Sequence, residues 1–225
     1  MTPNSGVAIP RPPLPPPQAL YSPQGEPARW AFVPAPPAPR GGRGEDPSGL
    51  AAAKEFLARL LAAHFLAGKL PALTLTADPM GRPHLRLDGA PGPEVSFSRA
   101  AGRLYAAMAA PGARLGVDAA APGEFAGDYP RARVFHEAEW QAAASLTHGD
   151  REEAAALLWS VKEAVVKARG CGFRFFGPRW VRVDFAGLGE RGPLWSARLD
   201  GPSPEPLPAA SLRLDRVWLT VAWIK

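Results

Sequence analysis

Apolar residues recur along this chain with two different periods. Over 157–169 they fall at Leu157, Leu158, Val161, Ala164, Val165 and Ala168, the spacing of a helix with one apolar face. Gly170 supplies the stop signal, Lys167 and Arg169 occupy the last turn, and Asp150 stands where an N-cap is needed near Arg151. Leu50, Phe56, Leu57, Leu60, Leu61 and Phe65 predict a second helix over 49–67, with Ser48 as its N-cap. A third is predicted over 137–146. Period-two alternation predicts strands at 29–33, 73–76, 84–87, 94–98, 104–109, 114–118, 179–185, 195–199 and 216–223, the last carrying the strongest signal. Residues 78–83, Asp-Pro-Met-Gly-Arg-Pro, read as a turn.

Composition then divides the chain. Half of the 28 prolines lie in the first 48 residues, so 1–26 is expected to be a disordered, proline-rich tail, extended and open to an SH3-like partner. The remainder falls into an N-terminal α+β half, 27–112, and a C-terminal α+β half, 113–225. Each reads as a helix pair with about three strands. The fold class expected is α+β.

A hydrophobic share of 46% is enough for a core, and no apolar run approaches the ~20 residues of a membrane span. The first residues lack the apolar centre of a signal peptide. One cysteine, Cys171, excludes an internal disulfide and suits a reducing cytoplasm. The net charge of +5 favours an acidic partner such as a phosphorylated small molecule or an acidic protein surface. The arginines are scattered without a basic run, which argues against nucleic acid.

The charged residues of the 157–169 helix are few and grouped. Glu163 and Lys167, four apart, share a face, and Lys162 sits beside them, rotated by about a quarter turn. As an ordinary surface pair Glu163 and Lys167 are worth about 0.2–0.5 kcal/mol. Trp159 directly upstream and the Gly170-Cys171-Gly172 exit suggest more, because bare backbone allows a close approach. Asp118, at the end of an apolar strand, is a second acid. Two carboxylates converging from distant parts of a chain are what a divalent cation needs in phosphoryl transfer.

The pattern Trp159-Ser160-x-Lys162-Glu163-Ala164-x-x-Lys167, followed by Gly170-x-Gly172, resembles the signature of the 4'-phosphopantetheinyl transferases, of the larger monomeric type that activates peptide and polyketide synthetases. Gly116-Val117-Asp118 is similar to that family's upstream motif, and Phe135-x-x-x-Glu139 to the segment between them. The resemblance implies two similar α+β halves related by pseudo-twofold symmetry, with coenzyme A bound across the cleft between them. It implies a cytoplasmic monomer that moves the 4'-phosphopantetheine group of coenzyme A to a serine of an acyl or peptidyl carrier protein, with Mg²⁺, releasing 3',5'-ADP. Asp118 and Glu163 would hold the metal, with Glu163 also the base for the serine. Lys167 would stand by the bridging phosphate, Lys162 would contact phosphate, and Glu139 would be a supporting carboxylate. Arg82, in Gly81-Arg82-Pro83, would touch the nucleotide, and Arg43, before Glu45-Asp46, would reach the 3'-phosphate.

The sequence also departs from the family. A second acid expected two residues after Asp118 is Ala120. The Ser-His pair of the first half becomes Ser98-Arg99 in the preferred register, where Arg99 would take the pyrophosphate; a register shifted by two places Phe97 there. These departures leave open a non-catalytic relative that binds coenzyme A or a carrier protein, and, apart from the family, a basic α+β protein that recruits a partner through its tail.

Overall fold

Two antiparallel sheets, stacked face to face between helices, organise the chain. The computed structural model describes residues 16–22, 25, 27–36, 47–66, 71–110, 112–174, 177–200 and 205–224. The first part holds β1 (Gln18–Tyr21), β2 (Pro27–Pro34), α1 (Pro47–Ala62), β3 (Leu73–Ala77), β4 (Pro83–Leu87), β5 (Ala90–Pro91), β6 (Val95–Ala100) and β7 (Arg103–Ala109). The second holds β8 (Arg114–Ala120), α2 (Arg131–Val134), α3 (Glu137–Leu146), α4 (Arg151–Arg169), β9 (Val181–Leu188), β10 (Pro193–Leu199), β11 (Leu207–Leu214) and β12 (Val217–Ile224). The fold is mixed α+β, as expected. The sheets run β1-β2-β7-β6 and β8-β12-β11-β10-β9, with β3-β4-β5 a small third sheet.

Side-chain alternation decides which layer each residue joins. In β7, Leu104, Ala106 and Met108 pack with Leu57, Ala58 and Leu61 of α1. Tyr105, Ala107 and Ala109 point the other way, into a core shared with Val117, Leu219, Val221 and Trp223 of the five-stranded sheet. On that sheet's far face Ala120, Trp218, Ala222 and Trp195 pack with Leu158, Val161 and Val165 of α4. The order of layers is helix, sheet, sheet, helix.

α4 buries 12 of its 19 residues, while Trp159, Glu163 and Lys167 are only half-buried. It starts as the sequence predicts, with Asp150 accepting the N–H groups of Glu152 and Glu153 at 3.0 Å each. It ends at Gly170 in the left-handed conformation, φ 80°. Inside, Ser160 joins a buried hydroxyl chain: Ser160 Oγ to Thr220 Oγ1, 2.7 Å; Thr220 Oγ1 to Ser211 Oγ, 2.7 Å; and Trp195 Nε1 donating to Ser211 Oγ, 3.0 Å. Every hydroxyl in that chain is paired, so it ties the helix to the sheet without the cost of an orphaned polar atom.

The structure differs from the sequence expectations in four places. α1 begins at Pro47, so Ser48 lies inside the helix instead of capping it; proline is suited to a first turn, where its missing N–H would have no helical partner. β1 lies within the stretch expected to be disordered, pairing Gln18 with Trp30 and Tyr21 with Pro27 and burying Leu20. β11 was not predicted, because Leu-Pro-Ala-Ala-Ser alternates poorly and is buried on both faces. Among the described residues, one long helix rather than a pair accompanies the N-terminal sheet.

Candidate functional site

β8 lies directly on α4, and Gly116 makes the approach possible. A Cβ at Gly116 would stand 2.1 Å from the carbonyl oxygen of Ala164 and 2.3 Å from the amide nitrogen of Ala168. Backbone therefore touches backbone, two residues along the strand from Asp118 and next to Glu163 and Lys167 on the helix. By the alternation of the strand, Gly116, Asp118 and Ala120 face α4.

Asp118 is buried, and two side chains donate to it. Lys167 Nζ lies 2.6 Å from its Oδ1, and Ser98 Oγ donates to the same oxygen at 2.7 Å. Ser98 Oγ in turn accepts the N–H of Ala119 at 3.0 Å, and Ser96 Oγ accepts that of Val117 at 3.0 Å. β6 and β8 belong to different sheets. Two serine hydroxyls satisfy the edge-strand donors of β8 and so close the seam between the two sheets.

A cleft opens along this seam. Its larger chamber, about 540 Å³, is walled by α1, the turn at Gly81 and Arg82, Phe97, Glu163, Lys167 and Gly170–Gly172. A second chamber of about 430 Å³ holds Arg99, Asp118, Glu124 and Trp159. Glu163, Lys167, Phe97, Leu50 and Lys54 line both. Trp159 packs at a tilt against Phe173 and Phe125, at ring separations of 5.5 and 6.2 Å, and gives the second chamber an aromatic wall.

The electrostatics follow from this burial. Burial pushes the Asp118 carboxyl above its ordinary value, with the Lys167 ammonium opposing it. Burial also raises Glu163; the Asp118 charge adds to the rise and Lys167 works against it. Among the described residues no hydrogen bond or ion pair engages the Glu163 carboxylate. A largely buried acid with no hydrogen-bonding partner, coupled to a second acid in the same cleft, fits a hard divalent cation with oxygen ligands. No group of three or more metal-ligating side chains occurs among the described residues, so water and substrate oxygens would complete such a shell. Glu124 also faces the second chamber, but its Oε1 accepts the N–H of Ala121 at 3.1 Å.

The structure gathers most of the residues singled out from the sequence. Asp118, Glu163, Lys167, Ser98 and Arg99 share the second chamber or its wall. Arg82 reaches the larger chamber from the opposite side. Its guanidinium is held by Glu94 at 2.8 Å, and its Nη1 lies 2.7 Å from where a Cβ on Gly170 would be. Glycine at 170 thus serves both the helix end and the close packing of Arg82. Arg43 lies outside the described residues. Ala120 is buried in the α4 core, and the backbone there presents no second acid.

Lys162 requires a correction. Expected as a phosphate ligand, it is fully buried, and its Nζ pairs with Glu139 Oε1 at 2.7 Å. It also donates to the carbonyls of Pro178 and Val181 at 3.1 and 2.5 Å. Glu139 completes the set by accepting the N–H of Val183 at 3.1 Å and that of His136 at 2.5 Å. The reason is rotation: neighbouring helix residues point about 100° apart, so Glu163 faces the cleft and Lys162 faces α3 and β9. Burial lowers the Lys162 ammonium's proton affinity while Glu139 supports it. The pair is a fastening between α3, α4 and β9.

Lys54 was missed. Leu50, Leu57 and Leu61 form the apolar stripe of α1, and the position between Leu50 and Leu57 on that stripe is a lysine. A break in periodicity by one cation is the signal that sequence reading passed over.

Residues 114–196 match the family model of the 4'-phosphopantetheinyl transferase superfamily. The match runs from β8 into β10, and it includes Asp118, Glu163 and Lys167 but not Ser98, Arg82 or Lys54. It supports phosphopantetheine transfer as the general class of activity. No curated protein is similar enough to the chain to count as a match. Among the described residues no helix is long and apolar enough to cross a membrane.

Proposed function

We propose that the chain transfers the 4'-phosphopantetheine group of coenzyme A to a serine hydroxyl of an acyl or peptidyl carrier protein, as a cytoplasmic monomer that uses Mg²⁺. The observation that carries this reading is the Glu163 carboxylate, unengaged and coupled to Asp118 inside a cleft with cationic walls. The family match over 114–196 supports it.

Asp118 and Glu163 would hold the cation, which when bound neutralises phosphate oxygens for in-line displacement. The serine oxygen forms a bond to the β-phosphorus of coenzyme A. The bond from that phosphorus to the bridging oxygen breaks, and its electron pair leaves with 3',5'-ADP. Glu163, whose proton affinity burial has raised, is suited to take the serine proton. Lys167 already donates to Asp118 and is close enough to the same space to stabilise charge on the departing oxygen. Ser98 holds Asp118 in place from the other half. Arg82 and Arg99 supply positive charge to the two chambers.

A non-catalytic relative is the second reading, favoured by Ala120 in place of an acid and by Arg99 in place of the family's histidine. Incubation of apo-carrier protein with coenzyme A and Mg²⁺, followed by mass spectrometry of the carrier, separates the two. Gain of the phosphopantetheine mass, lost with Glu163→Gln, is expected. Binding of coenzyme A without any gain on the carriers tried would favour the second reading.

A further inference from the structure

We propose that Lys54 is a further substrate-binding residue, gripping the diphosphate of coenzyme A from the N-terminal half; this rests on the reading above. Three observations carry it. First, Lys54 occupies the core-side stripe of α1, three residues before Leu57 and four before Ala58, both fully buried against the sheet. An ammonium on that stripe is directed along the inner face of the helix, to where the core gives way to the cleft.

Second, its position is central. Lys54 lines both chambers, as do Glu163 and Lys167. A ligand with its nucleotide in one chamber and its reacting phosphorus near Glu163 has its diphosphate at the junction, which is where Lys54 stands.

Third, its charge is uncommitted. Lys167 is held by Asp118 at 2.6 Å and Arg82 by Glu94 at 2.8 Å. Among the described residues Lys54 has no carboxylate partner; its Nζ stands 5.7 Å from the ring centroid of Phe97. That ring supports the ammonium without neutralising it, the arrangement expected of a cation kept for an anionic ligand. The bland alternative is a lysine whose stem covers Phe97 and whose charge does nothing more.

Titration calorimetry of the purified full chain with coenzyme A, without carrier protein, distinguishes these. Lys54→Met keeps the stem on Phe97 and removes the charge; Lys54→Arg restores a cation. Lys54→Met is expected to weaken coenzyme A binding by roughly tenfold to a hundredfold, and Lys54→Arg by less than about threefold. The same factor is expected with 3'-dephospho-coenzyme A, which keeps the diphosphate. Unchanged melting temperatures would show that folding is intact, and Lys54→Gln provides a second neutral variant. Wild-type affinity in Lys54→Met overturns the inference, as does a loss that disappears with the dephospho ligand. Failure of the wild-type chain to bind coenzyme A at all would instead overturn the transferase reading on which it stands.

Discussion

The ammonium of Lys167 lies 2.6 Å from the Oδ1 of Asp118, and one serine from the other sheet, Ser98, donates to that same oxygen. A strand acid, a helix cation and a hydroxyl from a second sheet thus meet at one atom. Lys167→Met would leave the buried carboxylate with neutral donors only. Transfer is expected to fall by roughly a hundredfold or more, the usual loss for one donor to developing charge. Steady-state rates with a carrier substrate check this, and wild-type turnover would show that Lys167 serves only to hold Asp118.

Stability should depend on pH through the same acids. Asp118 and Glu163 both bind protons more tightly in the folded chain than at their ordinary values of 3.8 and 4.5. Their contribution is therefore full below those values and is lost as pH rises through the elevated folded ones. The metal-free protein is expected to lose stability from these two groups as pH rises above their ordinary values, and the Asp118→Asn, Glu163→Gln double variant to lose less. Melting curves across that range, compared between the two proteins, would show parallel profiles if the acids were not perturbed.

Addition of Mg²⁺ at neutral pH should reverse that loss. At a hundred times the dissociation constant, binding to the folded state alone adds about 2.7 kcal/mol. The melting temperature of the wild-type chain should rise with Mg²⁺ and that of the double variant should not. A rise of equal size in both would place the cation elsewhere.

Gly116→Ala tests the backbone contact. A methyl group cannot occupy a point 2.1 Å from a carbonyl oxygen, so β8 or α4 must shift. A loss of about 1–3 kcal/mol or more is expected in denaturant unfolding. Activity should fall beyond what the lost stability explains, because Asp118 moves relative to Glu163.

The buried pair of Lys162 and Glu139 makes a contrasting case. Lys162→Met preserves much of the volume but strands Glu139, and a loss of about 3–5 kcal/mol is expected. Adding Glu139→Gln to that variant should recover part of it. Were Lys162 a phosphate ligand instead, the single variant would raise KM and leave unfolding nearly unchanged.

Much of this architecture was legible in the order of residues, and the exceptions have physical causes. α4 was clear because Asp150, a long apolar period and Gly170 all agree. β11 was not, because a strand buried on both faces loses the alternation by which strands are recognised. Motif spacing singled out Asp118, Glu163 and Lys167, which the structure places around one chamber. It placed Lys162 wrongly, because adjacency in sequence along a helix means divergence in space. Lys54 could be found only once the layers showed which side of α1 faces inward.

The two serines between β6 and β8 bear on how little of this chain could work alone. The stretch 114–196 carries both acids and Lys167, yet the hydroxyl that steadies Asp118, and those that quiet the outer edge of β8, come from residues 96 and 98. A fragment beginning at β8 would own the acids but present a raw strand edge and an Asp118 held by Lys167 without its serine. The contact that covers the edge of β8 is the one that positions the acid, so an excised C-terminal piece should be both sticky and idle.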